Sequence, residues 1–185
     1  MQKGKLGPVK SERLRRSALA AIVAAIVVFI DQATKSMALS ELSQRERIPL
    51  LGDLLGLQLA FNPGATLSFG ASATGLLTVF GIAVTVILGI AAARAGTTLA
   101  AIGFGFLVGG ALGNLIDRLF SPPSFGVGHV TDFLAYGDLF IGNIADIALG
   151  VGALLLLSAA WRSREPRHPD PPKPANHLAQ ETTSL

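Results

Sequence analysis

The sequence predicts an all-α membrane protein, a four transmembrane helix bundle with a small external β element. Half of the 185 residues are hydrophobic and only 15% are charged, and the mean hydropathy is +0.54. This composition disfavours an ordinary soluble domain. Four apolar stretches are each about 20 residues long, enough to cross a hydrocarbon core of roughly 30 Å. They run over about 18–39, 74–93, 99–119 and 139–160.

The basic residues indicate how these stretches are oriented. Lys and Arg are concentrated in an N-terminal tail, 1–17, and in a Pro-rich C-terminal tail, 162–185, and the second connection carries Arg94. Such flanks stay in the cytoplasm, and an even number of spans puts all three on one side. We therefore expect an N-in and C-in topology with 40–73 and 120–138 outside. Both tails are polar and are expected to be disordered or loosely attached to the membrane.

Several function classes are disfavoured by residues and motifs that the sequence lacks. The absence of cysteine excludes disulfides and thiol catalysis. There is no Gly-x-Ser-x-Gly elbow, no His-Glu-x-x-His zinc motif and no P-loop. The basic tails lack the interleaved aromatic residues typical of nucleic-acid binding. We expect no metal, no cofactor and no nucleic-acid partner. The first apolar stretch has no clear cleavage pattern and is expected to be retained as a helix.

The first external segment has a pattern typical of strands. Leucines alternate over 55–59, and Asn-Pro-Gly follows at 62–64. Alternation before a turn predicts short extended strands at the outer membrane surface. The second external segment is expected to be loop-like, because Pro122 and Pro123 end the third helix.

Four aspartates lie in or beside the apolar stretches, where an isolated charge costs several kcal/mol. With the topology above, all four can converge on the outer half of the bilayer. They are Asp31, Asp117, Asp132 and Asp146. Asp31 lies four residues before Lys35, on the same helix face, and is expected to pair with it. Asp117 is followed by Arg118, which we expect to neutralise it.

Asp132 and Asp146 have no Lys or Arg within helical reach. Two carboxylates held close in a partly dry site tend to share one proton and to titrate as a pair. That arrangement suits aspartic peptide hydrolysis, in which one acid polarises the scissile carbonyl and the other takes a proton from water. The alternative is that both acids only hydrogen-bond neighbouring helices. The residues alone leave these two interpretations about even.

Two short strings place an asparagine three residues before an aspartate. GNLID contains Asn114 and Asp117, and GNIAD contains Asn143 and Asp146. This spacing puts both side chains on one helix face, so each asparagine is expected to hydrogen-bond near its aspartate.

Five short motifs occur in a fixed order along the chain. They are DQATK at 31–35, FNPGA at 61–65, GGALGNLIDR at 109–118, HVTDF at 129–133 and GNIAD at 142–146. Together they resemble the motifs of lipoprotein signal peptidases, the type II signal peptidases of bacteria. One motif alone would be weak, but five in order are a specific pattern. The resemblance covers most of 18–160 and includes the four-span layout.

The resemblance implies an intramembrane aspartic endopeptidase. Such an enzyme cuts the signal peptide from a prolipoprotein just before a diacylglyceryl-modified cysteine. The resemblance places the catalytic dyad on Asp132 and Asp146. It also implies that the external strands form a small β-cradle like that of the family. It also assigns eight positions to substrate binding or site support. These are Asp31, Lys35, Asn62, Gly64, Asn114, Asp117, Arg118 and Asn143.

The resemblance also implies partners and a location. The expected partners are lipid-modified prolipoprotein signal peptides and membrane lipid. The protein is expected to be a monomer in the bacterial cytoplasmic membrane. The chain departs from the family at Gly142, where an aromatic residue is usual, and at Thr131, where valine is common. Two alternatives therefore stay open: a catalytically altered or inactive relative that acts as a membrane scaffold, and a small proton-coupled transporter. The apolar inner halves of the stretches argue against the transporter.

Overall fold

The computed structural model describes residues 8–64 and 74–162. It contains four helices that are long and apolar enough to cross a membrane, as the sequence predicts. They are α1 Pro8–Glu41, α2 Thr74–Ala93, α3 Thr98–Phe120 and α4 Ile144–Arg162.

Between the helices lies a small antiparallel sheet, which confirms the predicted β element. Its strands follow the order β1-β2-β3-β4. They are β1 Ile48–Leu51, β2 Leu55–Asn62, β3 Val130–Tyr136 and β4 Phe140–Gly142. The expectation that the second external segment is loop-like was wrong, because this segment supplies β3 and β4. Its first strand, VTDFLAY, is rich in the β-branched and aromatic residues that favour strands.

Two helices begin at positions other than those expected. α1 starts at Pro8, so the part of the N-terminal tail that follows is helical rather than disordered. The beginning of α1 is bonded to the C-terminal end of α2 and the connection after it. The guanidinium groups of Arg13 and Arg16 donate to the carbonyl oxygens of Ala93 and Gly96 at 3.2 and 2.5 Å. The C-terminal tail predicted to be disordered lies, from residue 163, outside the described residues.

α4 starts at Ile144 rather than near 139. The residues just before it are used in β4, which pairs with β3. Asn143 then caps the helix: its side-chain oxygen accepts a 3.1 Å hydrogen bond from the amide of Asp146, and its own amide donates to the Asp146 carboxylate at 3.1 Å. This reciprocal pair is a capping box, which fixes both side chains at the start of the helix.

α3 contacts the other three helices, and its glycines allow a close approach. A Cβ on Gly109 would lie 2.6 Å from Cβ of Val27 in α1, and one on Gly110 would lie 2.6 Å from the carbonyl oxygen of Ala145 in α4. These distances are shorter than van der Waals contact, so larger residues would push the helices apart. The close packing brings polar side chains of α1, α3 and α4 together.

The sheet packs on one end of α1 through a buried cluster of Ala38, Leu59 and Phe133. The β2–β3 register shifts between Leu57 and Ala60, which marks a bulge. Past this irregularity Ala60 pairs with Asp132. Strand residues alternate between faces, so Phe133 faces α1 while Asp132 faces the opposite side.

Candidate active site

Asp132 is a buried carboxyl group in the middle of the sheet, only 2% exposed. Its Oδ1 accepts a 2.6 Å hydrogen bond from the side-chain amide of Asn143, and the side chain of Asn62 also hydrogen-bonds to it. β3 holds Asp132 in a strand rather than in the expected loop. A strand fixes the direction of its side chain more firmly than a loop does.

Asp146 lies in the first turn of α4 and is exposed. Its Oδ2 accepts from the backbone amide of Asn143, and its Oδ1 accepts from the side-chain amide of Asn114, both at 3.1 Å. The N-terminal end of a helix also favours a negative charge. These contacts hold the carboxylate at the opening of the site.

Asn143 joins the two acids, because it donates to Asp132 from its side chain and to Asp146 from its backbone. Asn143 itself is fully buried. The structure therefore brings together the two acids that the sequence singles out. The expected contact between Asn143 and Asp146 is present. Asn114 meets its aspartate only through Lys35, whose ammonium donates to Asn114 and pairs with Asp117. Its other bonds are to Asp146 and Asn143.

The two acids differ in their surroundings. Burial raises the pKa of Asp132 to about 6, and the negative charge of Asp146 adds to the effect. Hydrogen bonds from Asn62 and Asn143 and the positive charge of Lys35 oppose the shift without cancelling it. A buried acid with a raised pKa beside an exposed carboxyl group can act as a general acid in its protonated form while its neighbour acts as a general base.

Lys35 is the centre of a buried charged cluster behind the two acids. Its ammonium lies 2.8 Å from Oδ2 of Asp31 and 3.0 Å from Oδ2 of Asp117, and it donates to Oδ1 of Asn114 at 3.0 Å. The predicted pairing of Asp31 with Lys35 is confirmed. The predicted pairing of Asp117 with Arg118 was wrong: adjacent residues on a helix do not face each other, and Asp117 points to Lys35.

Asp31 and Asp117 also accept hydrogen bonds from backbone amides. Oδ1 of Asp31 accepts from the amide of Ala145 at 2.9 Å, and Oδ2 of Asp117 accepts from the amide of Thr131 at 2.9 Å. Gln32, which sequence reasoning missed, donates to both aspartates at 3.2 and 3.1 Å. The sequence could have indicated Gln32, because it is a second polar residue directly after Asp31 in an apolar stretch. The cluster thus ties α1 to α3, α4 and β3.

Arg118 is a candidate site residue whose hydrogen bonding is incomplete within the described chain. In the described part of the chain, its Nη1 is the buried side-chain atom without a hydrogen-bond partner. Its other terminal nitrogen is close to Gly64, where a Cβ would lie 3.9 Å from Nη2. Gly64 has a φ of +108°, which favours glycine, and its amide donates to the side-chain oxygen of Asn62 at 2.8 Å. Arg118 and the turn after β2 thus lie on the same side of the site.

All ten predicted site residues lie in one region, where α1, α3, α4 and the sheet meet. Asp132, Asp146, Asn114 and Asn143 form its hydrogen-bonded centre. Over 8–64 and 74–162, no three His, Asp or Glu side chains are grouped so as to hold a metal ion. The arrangement offers acid–base chemistry by paired carboxyl groups.

The chain is similar in sequence to known proteins. A family model described as signal peptidase (SPase) II matches residues 23–162. A lipoprotein signal peptidase of Leifsonia xyli is 45% identical over 141 residues, which are 75% of this chain and 65% of that protein. One of Rhodococcus jostii is 38% identical over 156 residues, 82% of this chain and 77% of that protein. The match to the first relative thus spans slightly less than two thirds of that protein.

Two solved structures share the fold. One, described as a bacterial membrane enzyme structure by the in meso method at 1.9 Å resolution, has a TM-score of 0.66 and 25% identity, and the match covers 76% of this chain and 91% of that one. A second, at 2.3 Å resolution, has a TM-score of 0.64 and 23% identity over 83% of this chain and 94% of that one. The second is similar in fold alone.

Proposed function

The chain belongs to the signal peptidase II family, and we propose that it is a lipoprotein signal peptidase that works as an aspartic endopeptidase. It removes the signal peptide from a prolipoprotein on the N-terminal side of a diacylglyceryl-modified cysteine. Asp132 and Asp146 are the catalytic pair. The observation that carries this proposal is Asn143, which donates to Asp132 at 2.6 Å and to Asp146 at 3.1 Å.

The two acids have different roles in the proposed reaction. Asp132 acts in its protonated form, which stays populated up to about pH 6 because burial and the charge of Asp146 raise its pKa to about 6, and it donates this proton to the scissile carbonyl oxygen. Asp146, which is exposed, acts as the carboxylate that takes a proton from the attacking water. The tetrahedral intermediate then collapses and the carbon–nitrogen bond breaks. The proton held by Asp146 passes to the leaving amine, and one hydroxyl group of the intermediate returns a proton to Asp132, which leaves a carboxyl product.

Arg118 and the turn at Asn62 and Gly64 hold the substrate in this proposal. The buried Nη1 of Arg118 lacks a partner within the described chain, and an unsatisfied buried donor costs about 1–3 kcal/mol. A peptide carbonyl oxygen would satisfy it. The turn at Gly64 lies beside this guanidinium, since a Cβ on Gly64 would be 3.9 Å from Nη2 of Arg118, and the side chain of Leu77 packs directly against the glycine.

Asp31, Lys35 and Asp117 support the site without touching the substrate. Their ion pairs and their hydrogen bonds to Ala145 and Thr131 tie the start of α4 and the start of β3 to α1 and α3. These are the elements that carry the two catalytic acids. Preorganised supports of this kind keep reacting groups in place at no cost during the reaction.

The proposed location is the bacterial cytoplasmic membrane, with both termini inside and the sheet at the outer surface as a cradle for the substrate. A monomer suffices, since one chain supplies the whole site. The lipid-anchored substrate enters sideways from the bilayer and meets water at the outer ends of the helices. The chain has no cysteine, so single cysteines can test this topology. A thiol reagent that cannot cross the membrane should label Gln44→Cys in intact cells and Ser11→Cys only after lysis; the reverse pattern would contradict it.

A transporter remains the weaker interpretation. It needs polar groups through the depth of the bilayer. The end of the helices opposite the sheet instead contains a buried cluster of alanines, namely Ala20, Ala92, Ala95 and Ala101. The polar cluster lies at the end near the sheet, which favours a site that opens to one side.

The activity is tested with the purified, detergent-solubilised chain and a peptide that carries the diacylglyceryl cysteine. Mass spectrometry should find cleavage immediately before the modified cysteine and no cleavage of the unmodified peptide. A folded chain that leaves the lipidated peptide intact, while a characterised lipoprotein signal peptidase cuts it under the same conditions, would favour the scaffold alternative.

A further inference from the structure

A cleft of about 510 Å³ lies on the back of the sheet, behind β3. Its walls include Phe61 of β2 and Thr131 of β3, which are paired in the register. Successive residues of a strand point to opposite faces, so this cleft and the carboxyl group of Asp132 lie on opposite sides of β3. The cleft is therefore separate from the proposed catalytic pair. Its volume is within the roughly 300–1,000 Å³ of small-molecule sites.

The cleft also lies where two helices end. Leu39 is in the last turn of α1, Ser121 directly follows α3, and both residues line the cleft. In the proposed topology these are the outer ends of the helices, so the cleft lies at the depth where the hydrocarbon core meets water. A lipid of the outer leaflet can reach it from the side.

Three polar residues contribute to an otherwise apolar lining, namely Ser121, His129 and Thr131. Over 8–64 and 74–162, hydrogen bonds at Ser121, His129 and Thr131 involve the backbone, and their side chains have no partner. Thr131 is only 3% exposed, so the small exposed part of this residue is the part that lines the cleft. Polar groups this deep in a protein are almost always hydrogen-bonded. An unpaired hydroxyl on such a side chain indicates that a bound molecule completes its hydrogen bonds.

The lining also indicates the chemistry of this molecule. Hydroxyl groups and a neutral imidazole can both donate and accept hydrogen bonds. In the described part of the chain, none of the lining residues is Lys or Arg. A phosphate or carboxylate would therefore lose its hydration without meeting an opposite charge, which is costly. The cleft thus fits an uncharged amphiphile with hydroxyl groups at one end and a hydrocarbon chain at the other.

We propose that this cleft binds an uncharged acylglycerol of the outer leaflet. The glyceryl hydroxyls bond to Thr131, His129 and Ser121, and the acyl chain packs on Leu39 and Phe61. This ligand is distinct from the proposed substrate, because the diacylglyceryl group of the modified cysteine has no free hydroxyl.

Thr131 connects the cleft to the charged cluster and to the catalytic pair. Its backbone amide donates to Oδ2 of Asp117 at 2.9 Å, and its carbonyl oxygen accepts from the side-chain amide of Asn143 at 3.5 Å. Asp132 is the next residue in β3. A ligand bonded to Thr131 therefore stabilises the part of β3 that carries Asp132.

The test uses the full chain in nanodiscs of dioleoylphosphatidylcholine and a photoreactive 1-monoacylglycerol that carries a diazirine on its acyl chain. Mass spectrometry should find the label within 36–41 and 120–131. Unlabelled 1-monooleoylglycerol should compete for labelling. Methyl oleate, which lacks hydroxyl groups, and dioleoylphosphatidylglycerol, which is charged, should each compete at least about tenfold less well, because they lose hydrogen bonds or strand a charge.

Thr131→Val removes the hydroxyl and keeps the shape of the side chain. Half-saturation of labelling should then need a probe concentration about 2- to 12-fold higher, the net effect of one hydrogen bond. Thr131→Ser keeps a hydroxyl and should bind like the unmodified chain. His129→Leu, in the loop before β3, is a second variant for which the same loss is expected. The matched control is Thr85→Val, since the Thr85 hydroxyl already donates to the carbonyl of Gly81 at 2.7 Å.

Circular dichroism should show that the variants are folded. Equal half-saturation in a folded Thr131→Val or His129→Leu and in the unmodified chain would overturn the proposal. So would label spread over the lipid-facing sides of the helices, or equally strong competition by the charged lipid. None of these measurements uses peptide cleavage, so their failure would leave the proposed function standing.

Discussion

The side-chain amide of Asn143 donates a 2.6 Å hydrogen bond to Oδ1 of Asp132. Asn143 also caps α4 and holds Asp146 by its backbone amide. One residue thus sets the position of one proposed catalytic acid relative to the other. The capping box explains why the motif GNIAD places its asparagine three residues before its aspartate.

Asn143→Ala should therefore lower kcat about 100-fold or more, the usual effect of removing one hydrogen-bond donor from a catalytic group. KM should change less, because Asn143 is buried away from the opening. The variant should also raise the pKa of Asp132, since the Asn143 hydrogen bond lowers it. Steady-state kinetics at several pH values measure both effects. Gln58→Ala, which removes an exposed amide bonded to the carbonyl of Gln44, is the control and should be neutral.

The raised pKa of Asp132 predicts a pH dependence. The proposed mechanism needs Asp132 protonated, so kcat/KM should fall as the pH rises through about 6, by about tenfold per pH unit at the steep end. Stability follows the same direction. Asp132 in the folded chain holds its proton more tightly than an ordinary aspartic acid, whose pKa is 3.8. The contribution of this protonation to the stability of the folded state is therefore complete below pH 3.8 and is lost as the pH rises through about 6.

A pH–rate profile of kcat/KM checks this prediction, with circular dichroism at each pH to separate activity from unfolding. A flat profile between pH 5 and 8 would contradict the assigned roles. In Asp146→Asn, infrared titration of the Asp132 carboxyl should give a pKa below that of the unmodified chain, because the charge of Asp146 is one cause of the shift.

Lys35→Met should be strongly destabilising. It would leave Asp31 and Asp117 as buried, unpaired carboxylates, and breaking a buried ion pair by removing one partner costs about 3–5 kcal/mol. Thermal unfolding in detergent should show a large decrease in Tm. The double variant Lys35→Met with Asp31→Asn should recover part of the loss, since one of the stranded charges is removed. Glu12→Gln, in the exposed pair with Arg16, should leave Tm unchanged. A Lys35→Met protein as stable as the parent would show that the cluster is not needed to hold the helices.

Gly113→Ala tests the close contact between α3 and the charged cluster. The added Cβ would lie 2.5 Å from Oδ2 of Asp31, so Asp31 must move and weaken its bonds to Lys35 and Ala145. Cleavage should fall at least tenfold, with a lower Tm. Gly89→Ala in α2 is the matched control, because within 8–64 and 74–162 no atom outside its own stretch of helix lies within 4 Å of its Cβ position. Equal activity of the two variants would argue against a supporting role for Asp31.

The sequence predicts the helices well because an apolar stretch of membrane-spanning length depends on local composition alone. That the four aspartates lie close together was also predictable from residue type, since charges in such stretches must meet a partner or a substrate. The five ordered motifs then supplied the family and the positions of the site residues. Asp31 with Lys35 was predictable because both lie on one face of one helix.

Other features depend on tertiary contacts that local patterns do not contain. Asp117 pairs with Lys35 across two helices rather than with its neighbour Arg118. β4 takes up residues that were expected to begin α4, because they pair with β3.

The measurement that tests the central proposal most directly is cleavage of the diacylglyceryl-cysteine peptide by the unmodified chain, Asp132→Asn and Asp146→Asn. Each substitution keeps the size of the side chain and removes its acid–base function. We expect cleavage before the modified cysteine by the unmodified chain and a loss of at least 1,000-fold, about 4 kcal/mol of transition-state stabilisation, in each variant. Circular dichroism and gel filtration should show that both variants stay folded. Substantial turnover by either folded variant would contradict the assignment of Asp132 and Asp146 as the catalytic pair.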